Sequence, residues 1–176
     1  RSAGTPAAAR TPAPAAAASI SPRAWALLLA TYFAYVSVYC ARKPFSDVKS
    51  VVEKDLGISR QHLANIDTAL LTTYAVGQLS LGVAVRVLGR RWALVLAFAL
   101  AGASTFAFGL VDSPYAMLGL WGLAGLFAAP ASPLFSILVG ESVPASVRGT
   151  VIGIWSSCEN LGGAVANLVA AGVLAR

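Results

Sequence analysis

The chain has 176 residues, of which 57% are hydrophobic and 11% are charged, and its mean hydropathy is +0.73. These values are far from those of an average soluble protein and indicate a membrane protein with no room for a separate soluble domain. The net charge of +6 comes from basic residues in short intervals between apolar runs, a placement that concerns membrane orientation more than nucleic-acid binding.

The first 22 residues differ in composition from the rest. Residues 1–22 consist largely of Ala, Pro, Ser and Thr, and such a segment predicts a disordered tail or leader because it cannot bury enough apolar surface to fold alone. Its Arg, Ser and Thr without acids also resemble an organellar transit peptide. Residues 23–176 predict an all-α transmembrane domain of about five spans, since their uncharged runs approach the ~20 residues that cross a bilayer. The predicted spans are 24–41 with a continuation toward 52, 64–85, 92–111, 114–139 and 149–174.

The end of the first span carries a polar face. Tyr35, Tyr39, Arg42, Ser46 and Lys49 follow one another at steps of four, three, four and three residues, which places them on one side of a helix. Such a row of hydroxyls and cations suits an anion, and Arg can hold a phosphate through two parallel hydrogen bonds. The alternative is that the basic residues there mark the membrane surface, with their side chains reaching toward the lipid headgroups.

A proline two residues after Arg42 predicts a bend in this helix. Pro44 cannot donate a backbone hydrogen bond and so kinks a helix, which membrane spans tolerate where neighbours or cavities satisfy the released carbonyl. Phe45, Val48 and Val52 continue an apolar side beyond the proline. We therefore expect one long bent helix that does not stop at residue 41.

The second predicted span contributes one polar residue and a basic turn. Gln78 either faces a cavity or forms an interhelical hydrogen bond. His62, which precedes the span, has no second His or Cys at ligand spacing, so we predict no metal site. The span ends in a tight turn expected on the cytosolic side, formed by Gly82, Arg86, Gly89, Arg90 and Arg91.

The third predicted span contains no interior charge and is assigned no chemistry. In the fourth span, Gly119, Gly122 and Gly125 recur every third residue, which favours close helix packing. Pro130 and Pro133 are expected to interrupt the same span, as prolines do within helices. The pattern therefore predicts a helix that packs closely and can flex, although a static packing role explains the glycines equally well.

The fifth predicted span contains Glu159 near its middle. A carboxylate at that depth is costly unless it is protonated, paired or hydrated. Ser156, Asn160, Gly163 and Asn167 share one helix face at steps of four, three and four, and Glu159 lies at its margin. A cavity or coupling role and a structural ion pair or hydrogen bond between helices both remain open.

Basic residues predominate on alternate links between the predicted spans, whereas the link after the first span mixes Lys54 and Arg60 with Glu53 and Asp55. Those on the alternate links are Arg1, Arg10 and Arg23 before the first span, Arg86, Arg90 and Arg91 after the second, and Arg148 before the fifth. Because Lys and Arg accumulate in cytosolic loops, this pattern predicts a cytosolic N-terminus and places residue 176 on the opposite side.

Taken together, these segments resemble the N-terminal half of a major facilitator superfamily transporter, and more narrowly the organophosphate:phosphate antiporters. The resemblance rests on YVSVYCARKPFSDVK in the first span, YAVGQ and the Gly-Arg-Arg turn around the second, and RGTVIGIWSSCENLGG in the fifth. These stretches are similar to those of glycerol-3-phosphate, glucose-6-phosphate and sugar-phosphate exchangers. The likeness covers about residues 23–176.

The resemblance implies a phosphate site around Arg42. It makes Arg42 the residue that holds the substrate phosphate, with Tyr35, Tyr39 and Lys43 in or beside the same site. It also implies a fold of twelve spans in two halves around a central cavity. This chain supplies one half, so the other would lie in a longer parent chain or a partner subunit.

Several positions depart from the family pattern. Gln78 stands where glycerol-phosphate and glucose-phosphate transporters place a lysine, and Glu159 stands where the bacterial members carry a histidine. Ala128 and Ala129 precede Pro130 where the family has Gly-Trp-Pro. In the cytosolic turn, Arg86 and Val87 occupy the places usually held by an aspartate and an arginine.

The implied function is exchange of a sugar phosphate or glycerol phosphate for inorganic phosphate in a cavity lined by Tyr35, Tyr39, Gln78 and Asn160. Membrane lipid surrounds such a protein, in the endoplasmic reticulum or an organelle envelope. A proton-coupled carrier for another solute is the first alternative, favoured by Glu159, and a ligand sensor that does not transport is the second. No cofactor is implied, and an enzyme is disfavoured because no nucleophile–base pair or phosphate-binding glycine loop is present in the sequence.

Overall fold

A computed structural model describes residues 20–174, which form seven helices and contain no strand. The predicted tail, residues 1–22, lies outside the described residues except for its last three. Of these, Ser21 accepts a hydrogen bond from the Ala24 amide at 3.2 Å and caps the first helix, which begins at Pro22. The helices are α1 (Pro22–Arg42), α2 (Pro44–Asp55), α3 (Arg60–Phe108), α4 (Pro114–Ala128), α5 (Ala131–Ser142), α6 (Arg148–Trp155) and α7 (Cys158–Leu174).

Helices α1 and α2 form the long bent helix that Pro44 predicts. Lys43 between them keeps helical dihedral angles, φ −64° and ψ −38°, and its amide still donates to the Tyr39 carbonyl at 3.0 Å. Pro44 has no amide hydrogen for the following bond, so the helix bends there and continues to Asp55. Because the helical path is kept, the polar face of α1 runs on into α2.

Helix α3 is a helical hairpin. Gly89 has φ 73° and ψ 157°, which lies outside the helical region. A straight helix of 49 residues would be ~74 Å long, yet Leu63 and Phe108, near its two ends, belong to the same buried cluster. The chain therefore reverses at Gly89, and α3 supplies two arms, residues 60–88 and 90–108, that correspond to the second and third predicted spans.

The last two crossings are each divided by a short break. The fourth span is broken at Ala129 and Pro130, as expected from its two prolines. Pro133 lies in the first turn of α5 and has no amide hydrogen to donate to the carbonyl of Ala129, four residues earlier, so both prolines contribute to the interruption. The fifth span is divided at Ser156 and Ser157, between α6 and α7.

These segments make an all-α membrane domain of about five crossings. By length and composition, the stretches Pro22–Asp55, Arg60–Phe108 and Pro114–Ser142 can cross a bilayer. The second of these crosses twice because of its reversal at Gly89, and α6 followed by α7 supplies the remaining segment. Large apolar side chains such as Leu79, 87% exposed, and Phe106, 71% exposed, cover the outside, as lipid-facing positions require.

Two buried aromatic clusters hold the helices together at opposite ends of the domain. In the first cluster, which extends along α1 from Ala24 to Tyr35, the Tyr35 ring stacks on Trp155 of α6 with centroids 5.5 Å apart. Near the opposite loops, Phe108 packs on Trp121 at 4.4 Å and on Phe45 at 4.9 Å. The polar end of α1 lies between the two clusters.

Candidate functional site

A cavity of about 270 Å³ opens between α1, the start of α2, the first arm of α3 and α4. Three residues predicted to bind substrate, Tyr39, Arg42 and Lys43, line this cavity. The complete lining is Tyr39, Arg42, Lys43, Ser46, Asp67, Leu70, Leu71 and Trp121. One wall is thus polar and basic, and the facing wall is mostly apolar with a single carboxylate.

The basic wall follows from the spacing of its residues along the bent helix. Tyr39, Arg42 and Ser46 lie at helical steps of three and four, so they share one side as long as the helix continues through Lys43. The helical dihedral angles of Lys43 meet that condition. Pro44 therefore bends the wall without turning its polar face away from the cavity.

Arg42 is half-buried and forms no ion pair with another described residue. Its guanidinium carbon lies 5.6 Å from the centre of the Tyr74 ring, in a cation–π contact from α3. Within residues 20–174, no carboxylate lies within 4.0 Å of the guanidinium. An aromatic face stabilises a cation without using its hydrogen-bond donors, so the planar fork stays available to an anion. Sequence reasoning did not identify Tyr74 as a site residue.

Helix α7 approaches the same region through Gly162. A Cβ on Gly162 would lie 2.6 Å from the Tyr39 Cβ, so glycine is needed for α7 to pack this closely on α1. This close packing brings the Tyr39 side chain near Glu159, which lies three residues before Gly162 on α7. Among the described residues, no basic nitrogen lies within 4.0 Å of the Glu159 carboxylate.

An ion pair that includes the cavity residue Asp67 joins α2 to α3. The Lys49 ammonium of α2 donates to Asp67 Oδ2 of α3, and the same ammonium lies 5.5 Å from the centre of the buried Phe45 ring. Sequence reasoning placed Lys49 on the polar face but assigned no role to Asp67. The feature of the sequence that could have indicated a role for Asp67 is its position as a carboxylate at the start of a long apolar run.

Three other predicted site residues are absent from the lining of this cavity. Tyr35 is 2% exposed and packs between Trp155 and Phe135, because α5 and α6 cover that part of α1. Gln78 lies half-buried farther along α3, and Asn160 is exposed on α7. A substrate contact for these three residues stays a prediction.

The predicted gating turn lies at the far end of the domain. Arg90 Nη1 donates to Glu141 Oε2 at 2.6 Å, which ties the turn to the end of α5. Gly89 supplies the reversal of the chain. Gly82, Arg86 and Arg91 are exposed, and a role in gating stays a prediction for all five residues of the turn.

The sequence profile of the Major Facilitator Superfamily matches residues 11–176. The chain belongs to the Major Facilitator Superfamily. This is a family of transporters, and a multi-pass membrane protein follows from it and from the apolar helices.

Individual relatives are transporters of phosphorylated compounds by name. The chain is 29% identical over 134 residues to a probable hexose phosphate transport protein of Chlamydia muridarum, covering 76% of this chain and 29% of that protein. It is 28% identical over 180 residues to sugar phosphate exchanger 3 of Mus musculus, with coverages of 85% and 36%. A putative glycerol-3-phosphate transporter 2 of Arabidopsis thaliana is 29% identical over 163 residues, with coverages of 84% and 32%. The chain thus spans about a third of the length of these relatives.

Proposed function

We propose that this chain belongs to the first half of a transporter that exchanges a phosphorylated small molecule for inorganic phosphate by alternating access. The observation that carries the proposal is Arg42, half-buried at a cavity with Tyr39 and Lys43 and with no carboxylate within 4.0 Å of its guanidinium in the described residues. A basic group held at membrane depth without a counter-ion marks a site for an anion. The names of the relatives support a phosphate ester as that anion.

Arg42, Lys43 and Tyr39 would each make a different contact with the substrate phosphate. Arg42 offers two parallel donors to the phosphate oxygens, and each hydrogen bond to a charged group is worth about 1.5–3 kcal/mol. Lys43 adds a second positive charge, and the Tyr39 hydroxyl adds a neutral donor. Tyr74 restricts the guanidinium by its ring contact, which lowers the entropy lost on binding. No covalent step is required.

Transport requires a second half that completes the site. In proteins of this architecture the substrate lies at the interface of two related halves, and rocking of the halves exposes the site to each side in turn. A phosphate bridging cations of both halves would favour closure around itself, because it binds the closed state more tightly than the open ones. Inorganic phosphate and an organic phosphate share the group that Arg42 recognises, which accounts for exchange.

The decisive experiment is phosphate exchange in proteoliposomes that contain the full-length protein. Arg42→Ala is expected to reduce exchange of labelled phosphate at least about 30-fold, because removing one partner of a buried charged contact costs ~2–5 kcal/mol and 1.4 kcal/mol is about tenfold. Arg42→Lys keeps the charge but loses the two-donor geometry, so we expect partial activity.

The matched control is Arg23→Ala, which removes an exposed basic residue at the start of α1, away from the cavity. It should exchange phosphate as the unsubstituted protein does. Arg42-independent exchange, or no phosphate flux in any variant, would reject the proposal. The second outcome would leave the family relationship as evidence of fold alone.

A second candidate is a proton-coupled carrier of another solute. The observation that favours it is Glu159, which lies near Tyr39 without a basic partner in the described residues, since unpaired carboxylates within membrane proteins often carry protons. The exchange assay separates the two candidates: inorganic phosphate competes with the transported solute in the first and has no effect in the second.

A further inference from the structure

We propose that Asp67 is a specificity-determining residue of the cavity, whose carboxylate accepts a substrate hydroxyl and rejects phosphate esters that carry a second anionic group. The site would then take phosphate esters of neutral alcohols. This inference rests on the proposed function, because it concerns the part of the substrate beyond the phosphate.

The first step is the position of the carboxylate relative to the cations. Arg42 and Lys43 belong to α1 and its junction with α2, whereas Asp67 lines the same cavity from α3, beside Leu70 and Leu71. In the described lining Asp67 is the one acidic residue. A phosphate drawn to Arg42 and Lys43 therefore leaves the rest of the molecule to extend along a wall whose polar group is negative.

The second step is the hydrogen bonding of that carboxylate. Oδ2 is taken by the Lys49 ammonium, and Oδ1 has no hydrogen-bond partner among residues 20–174. The side chain of Asp67 is 37% exposed, so Oδ1 can be reached from the cavity. An ionised carboxylate accepts hydrogen bonds but cannot donate them. It can therefore bind a substrate hydroxyl, whereas it forms no hydrogen bond with a carboxylate or a second phosphate.

The third step is the fixed position of the pair. Lys49 reaches Asp67 from α2 while its ammonium lies 5.5 Å from the centre of the Phe45 ring, and Phe45 is 6% exposed in the aromatic cluster with Phe108 and Trp121. Both partners are thus attached to packed elements. The ion pair also keeps Asp67 from neutralising Arg42 or Lys43, which remain the anion-binding groups.

The test uses two competitors that differ in one functional group. Glycerol 3-phosphate carries a terminal hydroxymethyl group, and 3-phosphoglycerate carries a carboxylate in its place. Each is titrated against exchange of labelled inorganic phosphate in proteoliposomes of the full-length protein. The readout is the ratio of the two inhibitory concentrations, which cancels any change in the amount of active protein.

The unsubstituted protein is expected to prefer glycerol 3-phosphate by roughly tenfold or more, the scale of one like-charge contact at a partly exposed site. Asp67→Asn removes the charge with little change of shape and should reduce the preference to about threefold or less. Lys49→Met removes the partner and leaves the carboxylate unpaired, so it should increase the preference by about threefold or more.

Opposite shifts separate specificity from a structural role. If the ion pair only holds α2 against α3, both variants lower exchange together and leave the ratio unchanged, and that result overturns the inference. If Asp67→Asn does not fold, an unchanged ratio in Lys49→Met overturns it equally. Arg42-dependent exchange with an unaltered ratio rejects the role of Asp67 alone, whereas the absence of phosphate exchange in the unsubstituted protein rejects the proposed function as well.

Discussion

Glu159 is a half-buried carboxylate in the first turn of α7. It lies near the Tyr39 hydroxyl, and no basic nitrogen in the described part of the chain lies within 4.0 Å of it. We propose that it carries a proton during the cycle. Glu159→Gln then keeps the size and hydrogen-bonding capacity of the side chain but cannot bind or release a proton, so exchange by this variant should vary less with pH than exchange by the unsubstituted protein.

Asp112→Asn provides the control for this prediction. Asp112 is an exposed carboxylate in the loop before α4, and its replacement should leave the pH profile of exchange unaltered. A Glu159→Gln profile that follows that of the unsubstituted protein would assign Glu159 to helix packing, the other hypothesis that its depth in the span allows.

Single residues of the site were predictable where they depend on one helix. Tyr39 and Arg42 reach the cavity because helical spacing determines which side of α1 they occupy. Lys43, which also lines it, was implied by the family resemblance. Tyr35 shares that spacing but is buried against Trp155 of α6, and Asp67 acquires its significance from Lys49, 18 residues earlier. Contacts of this kind depend on how helices are arranged around each other, which hydropathy and periodicity do not specify.

At the level of elements, the reversal in α3 makes a sharp prediction. Gly89 has φ 73° and ψ 157°, a region of backbone conformation that side-chain-bearing residues rarely adopt, at a cost of about 1–3 kcal/mol. Gly89→Ala should therefore lower the midpoint of thermal unfolding in detergent. The hairpin that places both arms of α3 would be strained at its turn.

Gly82→Ala is the matched control on the first arm. Gly82 lies within the helix, and a Cβ there meets no atom within 4 Å. Alanine loses less backbone entropy than glycine when a helix forms, so this variant should be neutral or more stable by up to ~1 kcal/mol. Equal thermal midpoints for the two variants would contradict the view that Gly89 is needed for its conformation.

Element boundaries were predictable from chemistry that acts along the chain. The apolar runs indicate where spans lie, Pro44 predicts the bend in the first, and Gly89 falls in the predicted turn. The break at Ser156 and Ser157 had no comparable signal, since neither residue is a helix breaker of the strength of proline. The Tyr32 hydroxyl of α1 lies 3.0 Å from Ser157 Oγ at this break. The local sequence of α6 and α7 cannot predict such a contact, because it involves a residue of a distant helix.

For the whole molecule, the positions of the basic residues and the number of crossings predict which loops lie on the cytosolic side of the membrane. Arg90, Arg91 and Arg148 lie at the links that join the arms of α3 and precede α6, on the side predicted to be cytosolic. The loops that follow α2 and α3 lie at the opposite end, near the cluster of Phe45, Phe108 and Trp121. The basic cavity is nearer to that opposite end, because it begins beyond the midpoint of the stretch Pro22–Asp55.

This topology predicts which of two engineered cysteines is reached from each side of the membrane. Ser146→Cys lies in the exposed link before α6, and Ser113→Cys lies in the exposed loop before α4. In sealed vesicles with the cytosolic face outward, a membrane-impermeant maleimide should label Ser146→Cys at once and Ser113→Cys only after the vesicles are opened. The unsubstituted protein supplies the background, since Cys158 is fully buried and Cys40 is partly buried. Labelling of both sites from one side would mean an even number of crossings between them and would contradict the single crossing formed by α4 and α5. Labelling of Ser113→Cys alone in sealed vesicles would mean that the orientation is opposite to the one inferred from the arginines.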